Sequence, residues 1–254
     1  MNTETKLKIV NEHLNYDPVS LVNASPNYYL HLAIEVDRPI TPFFLWDSRK
    51  KKKVLKRAKQ LCSDIAKTNE IEDANVFKAQ IIPPGRGKYI KENSSQIHVA
   101  KFDIVILIEA HSKEILTQIT ESLAYKQAID FFEQNSSHLH QIKARNIKRI
   151  NDVDHSKQGV FLFNYFFAED TQQNLEVWNH TAGWFEQETQ LDNSELMLPL
   201  DKIKSDYTII NHCRWDGYGE ILPSLIFKST FRSYVLDNFY ANNVGAMPIL
   251  YKKC

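Results

Sequence analysis

Val160–Phe167, VFLFNYFF, is an apolar run of strand length, and it opens the second half of the chain as Tyr28–Val36, YYLHLAIEV, opens the first. Outward from Tyr28–Val36, Asp47 and Ser48 supply N-cap chemistry to a helix whose apolar positions Val54, Ala58, Leu61 and Ile65 share one face. Asn75–Ile82 and Phe102–Glu109 read as a hairpin with a long, mobile connection through Pro83-Pro84-Gly85. Ser112 caps a second helix that runs to Phe132, and His140–Ile150 closes as a strand. Outward from Val160–Phe167 the order recurs: helix Thr171–Thr189, extended Glu195–Leu200, strand Tyr207–Trp215, then a helix opened by Pro223 and a last strand, Ala246–Tyr251. In that last helix Phe227, Phe231, Val235 and Phe239 repeat every four residues. Each half spells βαββαβ, and the halves share this order without residue-level identity.

The order predicts an α+β protein of tandem ferredoxin-like units: an N-terminal extension over 1–27, one unit over 28–150, a polar linker, and a second unit over 159–254. A βαββαβ unit places both helices on one face of an antiparallel sheet and leaves the other face bare, so two units in one chain can cover each other sheet to sheet. Charge favours that docking. Residues 1–150 carry 23 Lys+Arg against 17 Asp+Glu and the remainder 8 against 14, giving +6 and −6. This element order resembles the dimeric α+β barrel superfamily, the ferredoxin-like group of antibiotic-biosynthesis monooxygenases, haem-degrading monooxygenases and chlorite-dismutase-like proteins. The resemblance spans about residues 28–252 and rests on topology. It implies two sheets facing across a barrel, with a cavity between each sheet and its helices for small aromatic or macrocyclic ligands.

The chain has 254 residues, 43% of them hydrophobic, enough for a substantial core. Lys+Arg and Asp+Glu both number 31, which removes a global electrostatic case for nucleic acid or an anionic membrane, and neither is expected as a partner. Three scattered cysteines, Cys62, Cys213 and Cys254, fit neither a disulfide framework nor a zinc ribbon. With no apolar leader or spanning segment in view, a cytoplasmic location is expected. Arg49–Arg57 holds seven basic residues, but without interleaved aromatics it reads as a solvated helix face. Pro83–Lys88 lacks Walker spacing, and His138 and His140 have no third ligand near in sequence, so neither a metal nor a cofactor is expected.

Chemistry concentrates in the second half. Asn164 interrupts an apolar strand, so its amide is either satisfied by a neighbouring strand or aimed at a ligand. In Asn211–Asp216, strand period two puts His212 and Arg214 on one face and Asn211, Cys213 and Trp215 on the other. A histidine beside an arginine favours the neutral imidazole, a competent base, whereas His212 and Cys213 point apart and do not make a nucleophile–base pair. Helix 171–189 has two apolar stripes, Leu175, Trp178, Ala182 and Phe185 on one side and Val177, Thr181 and Trp184 on another. In the haem-degrading and antibiotic-biosynthesis branches a first-strand Asn and a third-strand Trp line the pocket, and Asn164 and Trp215 hold similar positions. Leu222–Asn242 has no histidine, against haem ligation in the manner of those branches.

The expected function is a small-molecule enzyme with cofactor-independent, monooxygenase-like activity on a planar apolar substrate of aromatic or polyketide type. His212 would be the base, Arg214 and Asn164 would stabilise charge, and Trp178, Trp184 and Trp215 would shape the cavity. The alternative is a non-catalytic ligand-binding or assembly protein of the same fold, with homo-oligomerisation open, and haem binding stands third.

Overall fold

The computed structural model describes residues 7–68, 70–201 and 205–254. The first half contains β1 (Tyr28–Glu35), α1 (Arg49–Thr68), β2 (Ile71–Ile81), α2 (Lys88–Glu92), β3 (Ile104–Ala110), α3 (Lys113–Glu121), α4 (Leu123–Gln134) and β4 (His138–Arg149). The second contains β5 (Val160–Ala168), α5 (Thr171–Thr189), β6 (Glu195–Pro199), β7 (Ile209–Trp215), α6 (Tyr218–Phe227), a π-helical turn (Phe231–Leu236), α7 (Asp237–Ala241) and β8 (Val244–Lys253). The strand order is β4-β1-β3-β2 in one half and β8-β5-β7-β6 in the other, the ferredoxin-like arrangement twice. The sheets do more than face each other. Antiparallel ladders between β2 and β8 (Phe77 opposite Lys253) and between β4 and β6 (Ala144 opposite Pro199) close the eight strands of the described residues into one barrel, in which each is paired on both sides.

Period-two alternation sorts the strand residues into separate cores. On β1, Leu30, Leu32 and Ile34 pack under α1, α3 and α4, while Tyr29 and Ala33 enter the barrel with Phe77, Phe161, Phe163, Tyr165 and Tyr251. On β5, Val160, Leu162 and Phe166 face α5 and the last helices, together with Trp178, Trp184 and Trp215.

Several elements depart from the sequence reading. The helix expected from Ser112 to Phe132 breaks at Ser122, whose extended backbone ends α3 and whose hydroxyl oxygen accepts from Tyr125 N at 3.2 Å to start α4. The hairpin connection expected to be mobile is packed. Tyr89 and Ile90 of α2 are buried, and Gly85 (φ +143°) lies so near β8 that a Cβ there would sit 2.9 Å from Pro248 Cγ. Pro223 lies inside α6 rather than in its first turn, and the four-residue apolar repeat does not form one α-helix. Phe227 is 82% exposed, whereas Phe231, Val235 and Phe239 are buried. A strict four-residue spacing drifts around a 3.6-residue helix, and the wider π turn keeps the last three on the inner side. No helix among the described residues is long and apolar enough to cross a membrane.

The N-terminal extension is strapped across the second unit. Asn242 and Asn238 each bond extension backbone at both ends of the side-chain amide: Lys8 N donates to Asn242 Oδ1 (2.9 Å) and Asn242 Nδ2 to Lys8 O (2.7 Å), and Val10 pairs with Asn238 likewise. Further along, Asp17 O comes so close to α5 that a Cβ on Gly183 would lie 2.0 Å from it. Gly183→Ala is therefore expected to destabilise the protein by about 1–3 kcal/mol and to expose the extension to protease before the barrel. Limited proteolysis of both proteins checks this; equal cleavage of the extension would show that the contact is slack.

Candidate functional site

β5 carries Asn164 on its helix-facing side, with Asn211 of β7 opposite on one flank and Pro248 of β8 on the other. Two adjoining cavities lie above this strand, each of about 30 Å³. Leu162, Asn164, Phe185, Trp215 and Phe239 wall both, so the two are lobes of one site. The first lobe is closed by the π turn (Phe231, Val235) and by Pro83, Pro84 and Gly85 from the first unit; Trp178, Thr181, Ser194, Asn211 and Cys213 line the second. Each has room for about one water.

Asn164 is 9% exposed, and its Oδ1 has no hydrogen-bond partner. The other polar groups are spoken for. Trp215 Nε1 donates to Thr189 Oγ1 (3.1 Å), Ser194 Oγ to Asn211 Oδ1 (2.6 Å) and Thr181 Oγ1 to Val177 O (2.9 Å). Burial pushes the Cys213 thiol far up, so it stays protonated. The site is thus an apolar, aromatic-walled cleft with one unsatisfied amide.

Of the six residues singled out in the sequence, Asn164, Trp178 and Trp215 converge here and three do not. His212 and Arg214 lie on the opposite face of β7, because alternate residues of a strand point to opposite sides. His212 is wholly buried in the barrel and stacked on Phe163 at 4.1 Å. Its Nδ1 donates to Leu162 O (2.9 Å), its Nε2 lies 2.8 Å from His155 Nε2, and His155 Nδ1 lies 3.0 Å from Asp73 Oδ2. Carbonyl and carboxylate only accept, so all three bonds are made when His155 carries both ring protons and His212 accepts at Nε2. Burial and then His155 hold His212 well below the usual imidazole range, consistent with that acceptor role. Burial opposes the charge of Asp73, but the bonds from His155 and Asn75 outweigh it and hold its carboxyl low.

Arg214 pins the linker: Nε and Nη2 donate to Gln158 O (3.1 and 2.6 Å), and Asp216 is a further partner. Trp184 is core. It lines neither lobe, and its Nε1 donates to Thr230 Oγ1 (3.0 Å) beside Phe231, so the second stripe of α5 is covered by the segment after α6. Sequence reasoning missed Pro83–Gly85, which carry no local signal for a site in the other unit. It also missed Phe185, Phe231 and Phe239 as lining, although their apolar spacing was visible.

A haem group does not fit these residues: no histidine lines either lobe, and each lobe is the size of a water. Among the described residues no group of three His, Cys, Asp or Glu side chains is placed to hold a metal ion.

A second titratable cluster sits at one end of the barrel. Glu195 accepts from Tyr29 OH (3.0 Å), and burial, then the neighbouring Glu109 carboxylate, push its carboxyl from 4.5 up to about 7. Because the folded value lies above the unfolded one, this carboxyl's contribution to stability is full below pH 4.5 and is lost as pH rises through about 7. Glu195→Gln, which mimics the protonated form, is expected to match the wild type near pH 4 and to exceed it by about 3 kcal/mol at pH 8. Denaturant melts across that range check this; parallel stability–pH curves would show that Glu195 is not the source.

No family profile matches the chain, and no curated protein matches it in sequence. Solved structures do resemble it. An anthrone oxidase-like protein superposes with a TM-score of 0.62 at 11% identity, covering 90% of this chain and 91% of that one. A protein from Fusobacterium nucleatum subsp. nucleatum, named for a proposed monooxygenase activity, superposes with a TM-score of 0.53 at 8% identity, covering 89% and 92%. At such identities the likeness is one of fold. The chain shares the fold of these structures, a closed α+β barrel whose two ferredoxin-like halves are supplied by one polypeptide.

Proposed function

We propose that the second unit binds a small, neutral, largely apolar molecule between its sheet and its helices, with a ligand hydroxyl or N–H donating to Asn164 Oδ1. The observation that carries this reading is that amide oxygen, buried and unpaired among apolar walls. An unmet buried acceptor costs about 1–3 kcal/mol. A water in the first lobe would satisfy it poorly, since among the described side chains lining that lobe Asn164 is the one polar group free to bond and a buried water needs two to four partners. A planar ring needs the lobes to merge, which movement of Phe185 or Phe239, walls of both, would allow.

Cofactor-independent oxygenation of an aromatic or polyketide-type substrate is the second reading, and Asn164 favours it too. Its amide N–H can hold a phenolate or enolate oxygen where water is scarce. His212 and Arg214 face the barrel and would not serve as base and charge stabiliser there. Among the lining side chains the titratable group is the protonated Cys213 thiol, so the substrate would have to arrive ionised. Ligand binding is the better supported of the two.

Thermal shift with naphthalene, 1-naphthol and 1-naphthoate tests the proposal. Stabilisation should be largest with the naphthol and absent with the carboxylate, because the described residues lining the cleft include no cation. No shift with any of them, or equal shifts with naphthoate, would remove it. Oxygen uptake with 1-naphthol would promote the second reading.

A further inference from the structure

We propose that the loop Ile40–Trp46 and the outward face of α1 together form a docking surface for an anionic lipid bilayer. Four large apolar side chains stand out from this loop: Ile40, Phe43, Leu45 (64% exposed) and Trp46 (56% exposed). They are not on a slack segment. Phe43 N donates to Ile40 O (2.7 Å), Phe44 N to Gln80 O (3.0 Å), Ile82 N to Pro42 O (2.8 Å) and Ser48 N to Asp37 Oδ2 (2.8 Å), so the middle of the loop is tied to the end of β2 and its two flanks are tied to each other. Fixed apolar exposure of this extent marks a contact surface.

The helix that follows supplies the charge. Val54, Ala58, Leu61 and Ile65 are buried against the sheet, and at 100° per residue the opposite side holds Arg49, Lys52, Lys53, Lys56 and Lys59, all exposed. No carboxylate interrupts that side before Asp64, and Asp47 at the helix start is engaged by Lys51 and Lys78. A shallow depression of about 490 Å³ runs between the stems of Lys52, Lys56 and Lys59, where headgroup phosphates can sit.

The sequence reading set this basic run aside for want of interleaved aromatics and because the same helix has a complete apolar stripe, and it set membranes aside because the chain is neutral overall. The fold brings the apolar component from the preceding loop, and attraction at a surface depends on local charge within a Debye length. A bilayer is favoured over nucleic acid because the most exposed member, Leu45, and Ile40 are aliphatic, suited to the acyl boundary and not to base stacking. Apolar insertion plus a polybasic face is the pair of signals that stable interfacial binding requires. The strand end carrying the loop continues into Pro83–Gly85, which wall the cavity, but the docking proposal does not depend on what that cavity binds.

Sedimentation of the full chain with phosphatidylcholine vesicles, with and without phosphatidylserine, tests this. Binding is expected only with phosphatidylserine, falling with added salt, and about 30-fold weaker in K52Q/K53Q, given about 1 kcal/mol per cation near the surface. L45S/W46S should also lose binding. Trp46 provides a direct readout, because Trp178, Trp184 and Trp215 are buried: its emission should shift to the blue on vesicles and be quenched by brominated acyl chains. Three results would overturn the proposal: no vesicle binding; binding without quenching and matched by duplex DNA, which marks a general polyanion surface; or self-association of the free protein that already buries Trp46.

Discussion

Truncating Trp215 to alanine is expected to destabilise the protein by about 3–5 kcal/mol, the range for removing a large buried aromatic from a core. Trp215 ends β7, walls both lobes, and is 2% exposed. Its loss also leaves Thr189 without the indole N–H that it accepts at 3.1 Å. The two small lobes would merge, so the variant should gain affinity for a benzene-sized probe while losing stability. Denaturant melts with and without the probe separate the effects: the midpoint should fall with the slope unchanged, and the probe should recover part of the loss. A variant as stable as the parent would show that the indole is loosely packed and that the lobes are not walled as described.

A loss of similar size, about 3–5 kcal/mol at pH 7, is expected for Lys51→Met. Lys51 is wholly buried, with Nζ 3.2 Å from Asp47 Oδ1 and 3.3 Å from Asp103 Oδ2. Asp103 is buried as well and accepts backbone N–H groups from Val36 (2.8 Å) and Asp37 (3.0 Å). Even with these partners, burial leaves its carboxyl above the usual range. Without the Lys51 cation the carboxyl rises further and folds protonated, so the stability of the variant falls as pH rises and its deficit shrinks toward pH 4. Lys51→Met/Asp103→Asn should recover part of the loss at pH 7. A deficit that did not change with pH, and no recovery in the double variant, would mean that methionine packing rather than the orphaned charge is responsible.

What the sequence made legible follows the range of each signal. Period-two and 3.6-residue patterns act within one element, so Tyr28–Glu35, Val160–Ala168 and Thr171–Thr189 are readable within a residue or so, and their order led to the fold. The same alternation separates His212 and Arg214 from Trp215 on β7, yet it cannot say which side of the sheet carries a cavity. That depends on contacts distant in sequence. Gly85 meets Pro248, the first-unit segment Pro83–Gly85 walls a second-unit site, and His212 is engaged by His155 from a linker with no periodic pattern. The π turn was hidden for a different reason, since its apolar residues repeat as an α-helix's roughly would. Trp184 illustrates the remaining ambiguity: a tryptophan on a second stripe reads alike whether it lines a cavity or is covered by a neighbouring segment.

Calorimetric titration of the wild type and Asn164→Leu with 1-naphthol and naphthalene tests the proposal that Asn164 is the polar anchor of an apolar ligand site. The wild type should prefer the naphthol by about 0.5–1.5 kcal/mol, the net worth of one neutral hydrogen bond. Asn164→Leu should bind the two equally and be no less stable than the wild type, because it removes a buried acceptor that has no partner. A naphthol preference that survives in Asn164→Leu, or a folded wild type that binds neither compound, would show that Asn164 anchors no ligand.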